Sequence, residues 1–111
     1  MTSKVILIQS EVLGRGDDEL GMMLMSNFLR LLEESQDKPM QLIFWNTGVR
    51  LVCEDSWALE HLKALEEQGV EILACRTCLE FFELGEKLKV GKPTTMPESI
   101  QSMLSSDMVC L

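Results

Sequence analysis

Val70-Glu71-Ile72-Leu73-Ala74-Cys75-Arg76-Thr77-Cys78-Leu79-Glu80 is the stretch that decides the fold of this chain. Its first half is an apolar run of strand length, suited to burial in a sheet interior. Its second half has the S/T-x-x-E spacing that opens a helix: the Thr77 hydroxyl and the Glu80 carboxylate each satisfy an orphan backbone N–H, and Cys78 becomes the first helical residue. A buried strand running straight into a capped helix is half of a βαβ unit, which predicts a parallel sheet.

The same alternation extends in both directions. Strands are predicted at Lys4–Gln9, Met40–Trp45, Val70–Cys75 and Asp107–Cys110, with a weaker fifth at Leu88–Val90. Between the first two, Asp18–Glu34 carries Leu20, Met23, Leu24, Phe28, Leu31 and Leu32 at helical spacing, read as the core stripe. Met22, Met25 and Leu29 form a second apolar line, read as an outer face that another subunit covers, so a homo-oligomer is expected. Leu59, Leu62 and Leu65 mark a second helix, capped by Ser56 and ended by Gly69. A third helix is predicted at about Cys78–Leu84 with Gly85 as its stop, and a fourth after Pro97 carrying Ile100, Met103 and Leu104. The expected class is α/β: a three-layer α/β/α sandwich with a mostly parallel sheet of about five strands, filling residues 1–111 as a single domain.

Bulk properties narrow the function. Eighteen acidic against ten basic residues leave a formal charge of −8, which repels a phosphate backbone and argues against nucleic acid as a partner. The longest apolar runs, such as Val5-Ile6-Leu7-Ile8, are far shorter than the roughly 20 residues that span a bilayer. With no secretory pattern at the amino terminus, a cytoplasmic protein is expected, in which Cys53, Cys75, Cys78 and Cys110 stay mostly reduced.

In that setting Cys75-Arg76-Thr77-Cys78 is the chemically loaded feature. Cys75 is predicted to emerge at the carboxyl end of a buried strand, where open α/β sheets hold their ligands. A thiol in the following turn lies near the positive end of a helix dipole, and the Arg76 guanidinium adds a second charge. Both are expected to lower a thiol pKa, Cys78's above all. A zinc site needs four ligands, and the chain offers no second Cys-x-x-Cys and only the distant His61, so neither metal nor other cofactor is expected. Cys53 and Cys110 lack a comparable context, and His61, beside Glu60 and off the leucine stripe, is read as a surface residue. Gly14-Arg15-Gly16-Asp17-Asp18-Glu19 lacks the spacing and lysine of a phosphate loop. Its glycines are read as allowing a tight turn and its acids as complementing the helix dipole. Asn46, in Trp45-Asn46-Thr47-Gly48 after the second strand, either bonds a substrate or orients the cysteine loop, or else forms an ordinary turn with Gly48 at positive φ.

Several of these motifs occur together: Gly14-Arg15-Gly16-Asp17, Glu19-Leu20-Gly21, Phe44 with Asn46-Thr47-Gly48-Val49, Cys75-Arg76-Thr77-Cys78-Leu79, and Leu88-Lys89-Val90-Gly91. In this order they resemble the DsrE-like domain of YedF-type selenium-metabolism, sulfurtransferase-like proteins, over about residues 4–109. The resemblance implies a three-layer fold with a parallel sheet, oligomeric assembly, and a cysteine after the third strand that carries sulfur as a persulfide in relatives with relay activity; on matching positions this is Cys75. It also implies a sulfur-carrier partner resembling TusA, fused or separate. The expected site is Cys75 and Cys78 with Asn46, Gly48, Arg76, Thr77, Gly14 and Gly16 around them. The chain departs from the family where Arg76 replaces the glycine of Cys-Gly-Thr-Cys, and at Thr94-Thr95-Met96-Pro97. Helix electrostatics favour Cys78 as the more acidic thiol and the family pattern favours Cys75 as the sulfur acceptor. Three functions are expected in order: a sulfur or selenium relay, a non-catalytic oligomeric binding module of the same fold, and a dithiol oxidoreductase.

Overall fold

Alternation within the apolar runs sets the layers. In the computed structural model, which describes residues 2–111, the strands are β1 (Lys4–Ile8), β2 (Gln41–Phe44), β3 (Glu71–Cys75), β4 (Lys92–Thr94) and β5 (Asp107–Cys110). Ile6 and Ile8, Leu42 and Phe44, and Ile72 and Ala74 pack on one face of the sheet, and Val5, Leu7, Ile43 and Leu73 on the other. Burial on both faces is why these strands read as continuous apolar runs. All pairings are parallel, in the order β4-β3-β2-β1-β5.

The helices are α1 (Asp18–Glu34), α2 (Leu59–Glu67), α3 (Arg76–Phe81) and α4 (Met96–Ser105), with a 3-10 helix over Asn46–Val52. Met25 and Leu29 of α1, Val49 and Val52 of the 3-10 helix, Leu62 and Leu65 of α2 and Leu79 of α3 share one core with the first sheet face. Met103 of α4 packs with Met40, Trp45 and Met108 on the second. The result is the expected three-layer α/β/α sandwich around a five-stranded sheet. Among the described residues no helix is long and apolar enough to cross a membrane.

Three expectations change. The fifth strand is Lys92–Thr94, not Leu88–Val90: Leu88 forms an isolated antiparallel bridge with Cys53, the Lys89 N–H bonds the Val52 carbonyl, and Gly91, at φ 77°, turns the chain so that Lys92 pairs with Leu73. Pro93 is tolerated because β4 is an edge. On α1 both apolar lines are split between the core and the surface. Gly21, Met25 and Leu29 are buried, with Phe28 and Leu32 half-buried, whereas Leu20, Met22, Met23, Leu24 and Leu31 are exposed. Gly21 sets this rotation, since a Cβ there would lie 2.9 Å from the Val12 Cβ; only glycine lets the helix approach that loop. On α4, Ser99 is buried and Met103 half-buried, while Ile100 and Leu104 face out.

Smaller differences are local. Ser56 accepts the Ala58 N–H at 3.0 Å, one turn ahead of α2, and Gly69 ends that helix at φ 100°. His61 is half-buried rather than at the open surface, its Nδ1 2.7 Å from Glu33 Oε1, and so ties α2 to α1.

Candidate functional site

A cleft of about 820 Å³ opens at the carboxyl end of the sheet. Every strand contributes to it just beyond its last residues: Gln9 and Ser10 after β1, Trp45 and Asn46 after β2, Cys75 and Cys78 around the end of β3, Met96 after β4 and Leu111 after β5. Its position follows from the winding. β1 to β3 are linked by crossovers on one face and β4 returns to β5 by α4 on the other, so the chain reverses beside β1, where α/β sheets open a crevice.

The two cysteines meet through the start of α3. Cys75 is the last residue of β3 and its sulfur accepts the Cys78 N–H at 3.4 Å, so Cys75 itself caps the helix. The expected capping box at Thr77 and Glu80 is replaced: α3 begins at Arg76, one residue after the strand, and there is no room for a separate cap. The box occurs on α4 instead, where Thr95 accepts the Glu98 N–H and the Glu98 carboxylate accepts the Thr95 N–H.

Cys78 is thus the third helical residue rather than the first, and its sulfur turns inward. It accepts the Asn46 N–H at 3.1 Å. Burial pushes the Cys78 thiol up, and the Cys75 side chain adds to the rise; the Asn46 N–H opposes it without cancelling it. The lowered pKa expected from the helix dipole is therefore reversed. Desolvation of a half-buried sulfur outweighs a six-residue helix.

The β2 loop is built to bring Asn46 there. Asn46 takes a left-handed φ of 53°, a conformation asparagine tolerates better than most residues. Gly48, expected at positive φ, is instead required by proximity: a Cβ would sit 2.6 Å from the Ile8 carbonyl oxygen, which also accepts the Trp45 N–H at 2.9 Å. Thr47 joins the two strand ends further, its hydroxyl accepting the Glu11 N–H at 3.3 Å.

Of the expected site residues, Cys75, Cys78, Asn46, Thr77, Gly14 and Gly16 line the cleft, and Gly48 lies buried behind it. Arg76 is exposed and does not line it; the cation that does is Arg15, between Gly14 at φ 86° and Gly16 at φ 128°. Asp17 caps α1 by accepting the Leu20 N–H at 2.8 Å, which fixes that loop's exit. Gln9, Ser10, Val12 and Leu111 also line the cleft and carried no local motif, and so do Asp18 and Met96, from stretches not expected at the site. Their common signal is topological, because most of them directly follow strands or enter helices. Cys53 is buried and Cys110 exposed, both away from the pair. Among the described residues no three His, Cys, Asp or Glu side chains are grouped to hold a metal ion.

No protein-family model matches the chain, and no curated protein matches it. Solved structures do. The ychN protein of E. coli superposes with a TM-score of 0.74 at 18% identity over 100% of both chains. A protein of unknown function from Methanobacterium thermoautotrophicum gives 0.70 at 18% over 97% of both. A conserved protein of unknown function from Bacteroides thetaiotaomicron gives 0.62 at 18% over 98% of this chain and 95% of that one. The chain shares its architecture with these proteins and, with ychN, the DsrE-like fold that the motif pattern implied.

Proposed function

We propose that this chain is a sulfur or selenium relay protein that accepts a sulfane atom on Cys75 and passes it to a partner protein, a carrier resembling TusA. The observation that carries this reading is the pair of free thiols, Cys75 and Cys78, lining one open cleft at the strand ends, with the Cys75 sulfur accepting the Cys78 N–H. In the first step the Cys75 thiolate attacks the terminal sulfur of a donor persulfide. A new S–S bond forms at Cys75, the donor's S–S bond breaks, and the donor leaves as a thiol. In the second, an acceptor thiolate attacks the terminal sulfur and Cys75 leaves as thiolate. Should Cys78 attack the Cys75 sulfur instead, a Cys75–Cys78 disulfide forms and hydrosulfide leaves. A reducing compartment such as the cytoplasm and a homo-oligomeric state belong to the same reading.

Mass spectrometry after exposure to a persulfide donor tests it. One added sulfur is expected on Cys75 in the native chain and in Cys78→Ser, and none in Cys75→Ser. An adduct that persists in Cys75→Ser and disappears in Cys78→Ser reverses the roles. No uptake by any form leaves a binding module of the same fold.

A further inference from the structure

The two edges of the sheet are not equivalent. β4 presents exposed Lys92 and Pro93, a charge and a residue with no N–H, both of which obstruct pairing with another strand. β5 presents Asp107-Met108-Val109-Cys110, without lysine or proline. The Leu111 N–H bonds the Leu7 carbonyl at 2.9 Å, so by strand alternation Val109 also directs its backbone toward β1. Met108 and Cys110 direct theirs outward, away from the sheet.

Beside this edge runs the outer flank of α4. Ser99, Ser102 and Met103 turn toward the sheet, leaving Met96, Ile100 and Leu104 in one line. That line is on the β5 side, since Met96 lines the cleft with Leu111 while Glu98, Gln101 and Ser105 line a separate hollow with Glu71 and Thr94. Leu104 is 84% exposed, the most exposed large apolar side chain among the described residues. Charge is sparse here: a quarter of the whole chain is charged, yet from Ser99 to Leu111 only Asp107 is, and it lies 3.8 Å from Lys4.

We propose that two copies of this chain pair antiparallel through β5 about a two-fold axis at Val109, continuing the sheet from one copy into the other. A second copy is the occupant that fits. Met108 and Cys110 flank Val109 symmetrically, so Met108 of each copy exchanges backbone hydrogen bonds with Cys110 of the other, the self-complementarity that a two-fold interface requires. Chains of charge −8 repel at most surfaces, and this one is nearly uncharged. The Ile100 and Leu104 flanks approach each other over the joined edge. Antiparallel pairing puts the two cysteine clefts at opposite ends of the joined sheet, so both stay open.

Cross-linking in the full chain reads the register. At the axis, facing Val109 residues form a non-hydrogen-bonded pair with Cα atoms about 4.5 Å apart, within the range of about 4.4–6.8 Å that a disulfide bridges. Val109→Cys in a Cys110→Ser background is expected to give a covalent dimer on mild oxidation. Met108→Cys in the same background, whose copies are staggered by two residues, is expected not to. Cys110→Pro with Leu104→Asp removes one outward donor and charges the flank without touching a bond to β1. Sedimentation equilibrium is expected to find a native dimer and a monomeric double variant with unchanged circular dichroism. A native monomer at micromolar concentration overturns the proposal. So does an assembly that survives the double variant, or cross-linking at position 108 in preference to 109.

Discussion

Adding a methyl group at Gly48 tests whether the close approach of the β1 and β2 ends builds the cysteine site. The new Cβ would stand 2.6 Å from the Ile8 carbonyl oxygen and 3.4 Å from the Ser10 nitrogen. Both contacts are backbone, so no side chain can swing away. Overpacking of this kind costs about 1–3 kcal/mol. Gly48 does not occupy the left-handed region, so alanine recovers about 0.4–1 kcal/mol by restricting the unfolded chain. The net loss is at most about 2.6 kcal/mol. At about 2 cal/mol/K per residue, a chain of 111 residues loses about 4 °C of Tm per kcal/mol. Gly48→Ala should therefore melt below the native chain by up to about 10 °C by circular dichroism. Gly85→Ala is the control: its Cβ would meet nothing within 4 Å, and its melting point should hold or rise slightly. The local consequence is more specific than the loss of stability. Gly48 is two residues from Asn46, whose N–H is the larger of the two backbone contacts that oppose the rise of the Cys78 thiol. Displacing the loop weakens that bond, and Cys78 alkylation should require higher pH. A variant that melts with the native chain and titrates identically at Cys78 would refute the reasoning.

Two further outcomes follow from the same structure. Cys78 should react with iodoacetamide only at more alkaline pH than an ordinary thiol, and Cys75→Ala should move its profile back toward neutral, because the Cys75 side chain is one cause of the rise. The sign carries into stability: a thiol whose folded pKa is raised keeps its proton longer in the folded chain, so its contribution is full below about pH 8.5 and declines as pH rises past it; Cys78→Ala should flatten that decline in alkaline melts. On α1, Leu29→Ala should cost about 2–5 kcal/mol by denaturant unfolding, whereas Leu31→Ala at its exposed position should stay within about 0.5 kcal/mol.

Strand identity was legible because period and length agree for Lys4–Ile8, Gln41–Phe44 and Glu71–Cys75, where apolar residues are needed on both faces. Helix existence was legible for the same reason, but helix orientation was not. A helix apolar around most of its circumference, such as Asp18–Glu34, carries no internal mark of its inner side. The deciding contact, Gly21 against Val12, is tertiary. The same limit explains Ile100 and Leu104, which have core-like spacing but are exposed. The shared position of the two cysteines at one strand end was legible, and their electrostatics were misread. A capping box can be recognised in sequence, yet whether the strand leaves room for a separate cap depends on where the last ladder bond falls, here Cys75 against Thr94.

That misreading bears on the roles of the two thiols. A dipole argument asks only which sulfur is nearest the helix amino terminus, and it ranks Cys78 as the better thiolate. The geometry asks in addition what each sulfur touches. Cys78 is half-buried, fixed by the Asn46 amide and raised by burial, so it keeps its proton near neutral pH. A protonated thiol is a poor attacking group but a useful neighbour. In the proposed relay the second transfer leaves negative charge on the Cys75 sulfur, the atom that accepts the Cys78 N–H at 3.4 Å, with the protonated Cys78 thiol in the same cleft. A proton held there stabilises the departing charge where a second thiolate would repel it. The raised pKa of Cys78, which contradicts the simplest argument for a reactive thiol, is thus consistent with the proposal of Cys75 as the acceptor.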